Sequence, residues 1–322
     1  MLTTTPAETP PHASVPPVQP PWSYSRRNVL EQCARRYYYE YYALQVAKVG
    51  SDPQLETLKK LKALQNRYTR TGNIAHLVIA TYMRKAQKGE VWTPQRVVNW
   101  ARMLFQADLT YSARDPSGLS PPQTRFPPVL LQEYFYQQAD AADVCRAAEE
   151  RLRTGLHTFV ESVNFAEFRR LGIQSDAELE RKISVKDPTF CISGKVDLAY
   201  CIDGSVSIVD WKLGEPAGDG DESLQLAAYA LWAADYFTVS PDRIHIYKAY
   251  LGADTVQQFS VNNRMLSAAR ARIQQDLERM RIAQNYGQRG IEEAFTACAQ
   301  PGVCKLCPFH ATCPEGSAVV YA

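Results

Sequence analysis

The chain has 322 residues, enough for one large domain with insertions or for two modest ones. Its formal net charge is only +2, so any surface for nucleic acid has to be local, and composition neither demands nor excludes a DNA partner. No run is long and apolar enough to cross a bilayer, and the first residues lack the basic start and apolar stretch of a signal peptide. A cytoplasmic protein with no membrane contact is expected.

In chain order, residues 1–22 read as a disordered leader, because seven prolines fall in the first 21 positions. Residues 23–93 read as an N-terminal helical part, with helices over 25–47, 53–70 and 73–88, the last two separated by Gly72. Residues 94–175 read as a helical insertion, interrupted by a Pro-rich loop near 113–128. Residues 176–290 form the expected core. Three short β-rich runs, 179–187, 190–203 and 205–213, are separated by the turn signals Asp187-Pro188 and Asp203-Gly204. A Gly/Asp-rich loop then leads to a helix that Ser223 could cap, two more strands and a long helix over 263–286. Residues 291–322 form a cysteine-rich tail. Helices, a strand meander, a helix and further strands imply an α/β or α+β core.

Asp197 lies in the second strand, and Asp210 and Lys212 in the third. Side chains alternate along a strand, so Asp210 and Lys212 share a face, and a hairpin at Asp203-Gly204 brings Asp197 alongside. Two carboxylates and a lysine on one face suit a hydrolytic site that holds Mg²⁺ or Mn²⁺. Asp210 follows Val209 in an otherwise apolar strand, where an unpaired charge costs stability. The triplet Asp-x-Lys would equally fit an ion pair on an exposed edge strand.

The order Gly194-x-x-Asp197, Asp210-x-Lys212, Gln225-x-x-x-Tyr229 resembles the RecB branch of the PD-(D/E)XK nucleases. The resemblance implies a restriction-endonuclease-like core, a central mixed sheet flanked by helices. It makes Asp197, Asp210 and Lys212 catalytic, with Gln225 and Tyr229 on a helix beside them. It gives His76, which follows Gly72, the place of a metal ligand with Asp197, Asp210 and the backbone carbonyl of Trp211. Glu180 matches a less regular acid of the family, or is a surface charge.

Cys304, Cys307 and Cys313 are bunched in the tail as C-x2-C-x5-C, and a metal centre held by cysteines usually needs a fourth. Cys298 is near enough, while the surroundings of Cys33 resemble the iron–sulfur nucleases related to RecB, among them AddB, exonuclease V and the CRISPR-associated adaptation nuclease. That resemblance implies a 4Fe–4S cluster on Cys33, Cys304, Cys307 and Cys313, forming a C-terminal cluster segment that pins both ends of the chain. Spacing alone also permits a structural Zn²⁺. Cys145, Cys191 and Cys201 read as buried thiols.

Arg26, Arg27, Arg35 and Arg36 flank a tyrosine run, and Arg67 and Arg70 precede His76. They could meet phosphates while the tyrosines stack on bases; equally, the tyrosines could be core and the arginines a solvated helix face. The resulting expectation is a metal-dependent deoxyribonuclease, an exonuclease on single-stranded DNA ends. Its partners would be DNA and a helicase, CRISPR or defence-system protein. The alternative is a non-catalytic DNA-binding or scaffold subunit.

Overall fold

Leu198, Val209 and Ile246 each place a fully buried side chain at the middle of a strand, and a five-stranded sheet forms around them. The computed structural model describes residues 20–46, 53–114, 121–187, 190–216 and 223–321. Nearly all of the leader, the residue after Asp187 and much of the Gly/Asp-rich loop lie outside the described residues. The helices before the sheet are α1 (Tyr24–Gln32), α2 (Ala34–Tyr38), α3 (Leu44–Val46), α4 (Pro53–Ala63), α5 (Arg67–Ala86), α6 (Pro94–Arg114), α7 (Gln132–Phe135), α8 (Ala141–Glu161) and α9 (Ala166–Gly172). Strands β1 (Glu178–Asp187), β2 (Phe190–Ile202) and β3 (Ser205–Lys212) follow, then α10 (Ser223–Tyr236), β4 (Ile244–Tyr250), β5 (Thr255–Ser260), α11 (Asn263–Gln288), α12 (Pro301–Cys304) and α13 (Pro314–Val320).

The strands lie in sequence order; β3 and β4 are parallel, joined through α10, and the other pairs are antiparallel. One face of the sheet packs Val206, Ile208, Ile244 and Ile246 against α10, α11 and the tyrosine-rich N-terminal helices. The other packs Leu198, Val209, Trp211 and Ala249 against α5, α6, α8 and α9. Two faces covered by helices explain why β3 and β4 read as nearly continuous apolar runs. None of the described helices is long and apolar enough to cross a membrane.

Two expected helices differ. Residues 25–47 do not form one helix: Cys33 is extended, with φ −162°, and Tyr39–Ala43 is a π-helical turn. Gly72 does not break α5. A glycine there costs about 1 kcal/mol relative to alanine, which the buried face of Ile74, Ala75, Val78, Ile79 and Met83 outweighs. The chain breaks instead at Leu64–Asn66, where Asn66 caps α5 by accepting from the Thr69 N–H.

The tail is not a cysteine-cluster segment, and the expected 4Fe–4S cluster and its Zn²⁺ alternative are both corrected. Among the described residues, the side chains brought within metal-ligand distance of one another are His76, Glu180 and Asp197, and no cysteine is among them. Cys33, Cys304, Cys307 and Cys313 do line one small cavity, and two of these sulfurs take part in hydrogen bonds. Cys33 Sγ accepts the N–H groups of Arg36 and Cys298, each at 3.4 Å. Cys313 Sγ accepts from the Gly316 N–H at 3.4 Å and caps α13. Burial pushes the Cys307 thiol up to about 12 and also raises Cys304 and Cys313. The tail packs as two short helices, the second capped by Cys313. Cys145 is buried, whereas Cys191 is half-buried and Cys201 is exposed.

The tyrosine run is core: Tyr37, Tyr38, Tyr39 and Tyr42 are buried. The arginines beside it are held by the fold. Arg26 Nε donates to Tyr37 Oη at 2.8 Å, and Arg35 bonds the Phe295 carbonyl and Glu292. Arg67 pairs with buried Glu133 at 2.9 Å, and Arg70 clasps buried Asp108 through two bonds of 2.6 and 2.9 Å.

Candidate active site

Three acids stand in a row across the sheet. Glu180 lies between the register pairs Leu179–Leu198 and Arg181–Val196 of β1 and β2, which puts it opposite Asp197. Asp197 and Asp210 are the next residues outward from the Leu198–Val209 pair of β2 and β3. The hairpin therefore brings the two aspartates side by side. Glu180 takes its place with φ +51°, a left-handed conformation that a non-glycine residue adopts at a cost of about 1–3 kcal/mol.

Helix α5 lays His76 over this row. Its Nδ1 is 3.0 Å from Asp197 Oδ1 and 3.8 Å from Glu180 Oε1. One donor atom from each of His76, Glu180 and Asp197 lies within 4.8 Å of the other two. The other oxygen of Asp197 accepts the Trp211 N–H at 2.8 Å, which fixes the carboxylate's rotation. Lys212 Nζ is 2.7 Å from Asp210 Oδ2. Gln225 and Tyr229 face the same spot from α10: Gln225 Nε2 donates to Tyr229 Oη at 2.8 Å and reaches Asp210 Oδ1 at 3.5 Å. The Trp211 indole turns to the opposite face, against Phe159 and Phe168.

The charges do not settle equally. Burial pushes Asp197 up, but His76, the Trp211 N–H and Lys212 outweigh it and hold this carboxyl below its ordinary value. Burial dominates at Asp210, and with the neighbouring Asp197 it raises that carboxyl despite Lys212. Burial lowers His76, yet Asp197, Asp210 and Glu180 together raise it. Burial and the two aspartates push Tyr229 well up, so it stays a neutral hydroxyl. Carboxyls driven apart in this way are frequent at catalytic sites.

The residues fit a divalent cation. Asp210 Oδ2 and His76 Nδ1 are buried without a well-aligned hydrogen bond, and the nitrogen and carboxylate donors suit Mn²⁺ or Mg²⁺. The site opens into a cleft of about 650 Å³ between α5, the β1–β2 pair, α10 and the segment Trp22–Ser25.

Sequence reasoning left out Lys195 and Arg84, which also line this cleft. Lys195 pairs with Glu180, and Arg84 donates to the Leu179 carbonyl at 2.7 Å. Both were findable. Lys195 is two before Asp197 on one strand, and Arg84 is eight after His76 on one helix, so each shares its neighbour's face.

The crystal structure of SSO0001 is similar to 56% of this chain and 81% of its own, at 14% identity and a TM-score of 0.29. A proposed exonuclease of Eubacterium rectale is similar over 78% of this chain and 90% of its own, at 10% identity and a TM-score of 0.33. No curated protein matches. A profile of the PD-(D/E)XK nuclease superfamily matches residues 21–314. The iron–sulfur branch expected from the cysteines is set aside, and the family is the broader one. The chain belongs to the PD-(D/E)XK nuclease superfamily, a phosphodiester-cleaving assignment that accounts for the buried acids beside His76 and Lys212.

Proposed function

We propose that the protein is a divalent-metal-dependent deoxyribonuclease that trims single-stranded DNA from free ends. The observation that carries the reading is the convergence of His76, Glu180 and Asp197 within 4.8 Å, with Asp210 and Lys212 on the adjoining strand. His76, Glu180, Asp197 and Asp210 would hold the Mg²⁺ or Mn²⁺, with the Trp211 carbonyl as a further ligand. When bound, such a cation polarises the scissile phosphate and lowers the pKa of an attacking water.

The chain's own groups do the rest. Lys212, held beside Asp210, orients the nucleophile and meets negative charge as it develops on the phosphate. Gln225 and the neutral Tyr229 hydroxyl keep Asp210 in place. Lys195 and Arg84 supply positive charge along the cleft where the DNA backbone runs. A cleft of about 650 Å³ takes a few nucleotides of one strand more readily than a duplex, which favours single-stranded ends.

The test is cleavage of end-labelled single- and double-stranded DNA with Mg²⁺ or Mn²⁺. Asp210→Ala and Lys212→Ala should each abolish cutting while circular dichroism shows an intact fold. Variants that cut like the parent would overturn the assignment. A parent that binds DNA but never cuts it would favour a non-catalytic subunit.

A further inference from the structure

A second groove, of about 620 Å³, lies on the helical block between the end of α5, the start of α6 and residues 125–126. Its floor is a row of half-buried aromatic rings. Trp92 meets Trp100 edge-to-face at 5.5 Å, and Trp100 meets Phe126 in the same way at 5.5 Å. Three cations rim it. The Arg96 guanidinium lies 4.4 Å over the Trp92 ring, Arg125 lies 5.2 Å from Phe126, and Lys85 comes from α5. Glu90 offsets part of this charge by pairing with Lys85 and Arg96 and by accepting the Trp92 indole N–H at 2.7 Å. The net balance stays positive.

A row of half-buried aromatic rings with cations along its rim is an arrangement suited to unpaired nucleic acid. Bases stack on aromatic and guanidinium planes while the phosphates follow the positive charge. Position adds a second argument. Helix α5 carries His76 and Arg84 into the acidic cleft and Thr81 and Lys85 into this groove. Nine residues separate His76 from Lys85, about 13.5 Å along the helix axis and about half a turn around it, with Arg84 between the two faces. A strand leaving the cleft past Arg84 therefore meets the groove within a few nucleotides.

We infer that the Trp92–Trp100–Phe126 groove holds the unpaired part of a DNA strand whose end lies in the acidic cleft. The inference rests on the nuclease reading and assigns this surface of the helical block to substrate. Because the contacts are stacking and phosphate pairing, binding there is indifferent to base sequence.

The experiment measures binding of a 20-residue oligothymidylate in EDTA by tryptophan fluorescence across a series of salt concentrations. The proteins compared are the parent, the double variant Arg96→Ala/Arg125→Ala, and a control, Arg146→Ala/Arg153→Ala, on the exposed side of α8. Each single-strand phosphate contact contributes a slope of about −0.7 in log affinity against log salt. Loss of two contacts should weaken binding about 25-fold at 0.1 M salt and flatten the slope by about 1.4. The control should match the parent. If the groove variant binds like the parent, if the control weakens as much, or if no quenching occurs, the inference fails; a groove serving a protein partner would give the first of these results. Metal-dependent hydrolysis of bis(p-nitrophenyl) phosphate, too small to reach the groove, keeps the two readings apart. Its absence from the parent sinks the nuclease reading, and with it the placement of the strand's end in the acidic cleft. Its retention in a groove variant that has lost no affinity sinks the groove alone.

Discussion

Glu180 and Asp197 stand opposite each other on neighbouring strands, and Glu180 reaches that position only with a left-handed backbone, φ +51°. A strand interior has no architectural need of such a conformation. The strain is offset by what the carboxylate gains there, a place 3.8 Å from His76 and a pairing with Lys195. Glu180→Gly removes the strain and the carboxylate together. The variant should melt no lower than the parent without metal, because glycine adopts positive φ at little cost. It should lose the rise in Tm that Mn²⁺ gives the parent. Differential scanning calorimetry with and without Mn²⁺ checks both; a variant that keeps the full metal-induced rise would remove Glu180 from the ligand set.

Arg70 and Asp108 make the buried counterpart of that pair. Asp108 is fully buried, and burial pushes its carboxyl up even though Arg70 pulls it down. The carboxylate also accepts the Val129 N–H at 2.9 Å, so it ties α5 and α6 to the segment that follows them. Arg70→Ala leaves this charge without its partner and should cost about 3–5 kcal/mol. Urea unfolding measures it, and a loss below about 1 kcal/mol would show that water replaces the arginine.

Glu31 links α1 to α11 through Arg279 at 2.7 Å and Arg272 at 2.9 Å. The hydrogen bond from Arg279 is the chief reason its carboxyl lies below the ordinary value. A lowered carboxyl contributes stability that is present above its unfolded value, near 4.5, and is lost as pH falls through the folded one. The parent should therefore lose stability on acidification below about pH 4.5 more steeply than Glu31→Gln. Melting curves between pH 3 and 7 compare the two, and parallel curves would count against the linkage.

The eight cysteines should differ sharply towards a maleimide. Cys201 is exposed and should label first in the native protein. Cys145 and Cys307, each pushed up to about 12 by burial, should label only after denaturation. Peptide mapping by mass spectrometry reads the order directly. Early labelling of Cys307 would contradict the packing of the tail.

The strands and the acidic face were legible because a strand's side chains alternate with period two. Asp210 and Lys212 had to share a face, and the Asp203-Gly204 turn brought Asp197 beside them. The conformation of Glu180 was not legible, since positive φ is marked in sequence only when glycine takes the position. Arg67 and Arg70 looked available to phosphates because their partners Glu133 and Asp108 lie 66 and 38 residues further on. The cysteine spacing misled for a related reason. A sulfur that caps a helix and a sulfur that binds metal occupy the same kind of position in a sequence. Only the folded chain, by which side chains it brings within ligand distance of one another, separates the two.

Trp22 gives the cleft one of its walls, and its anchors come from far along the chain. Its backbone bonds to Cys191 and Ser193, and its indole N–H donates to Asp276 on α11, 254 residues away. During synthesis on the ribosome, that wall can lean on β2 first and gains the anchor of its indole only once α11 has been made. The acids of β1 to β3 can assemble earlier, and the wall beside them is fully anchored only when nearly the whole chain has emerged.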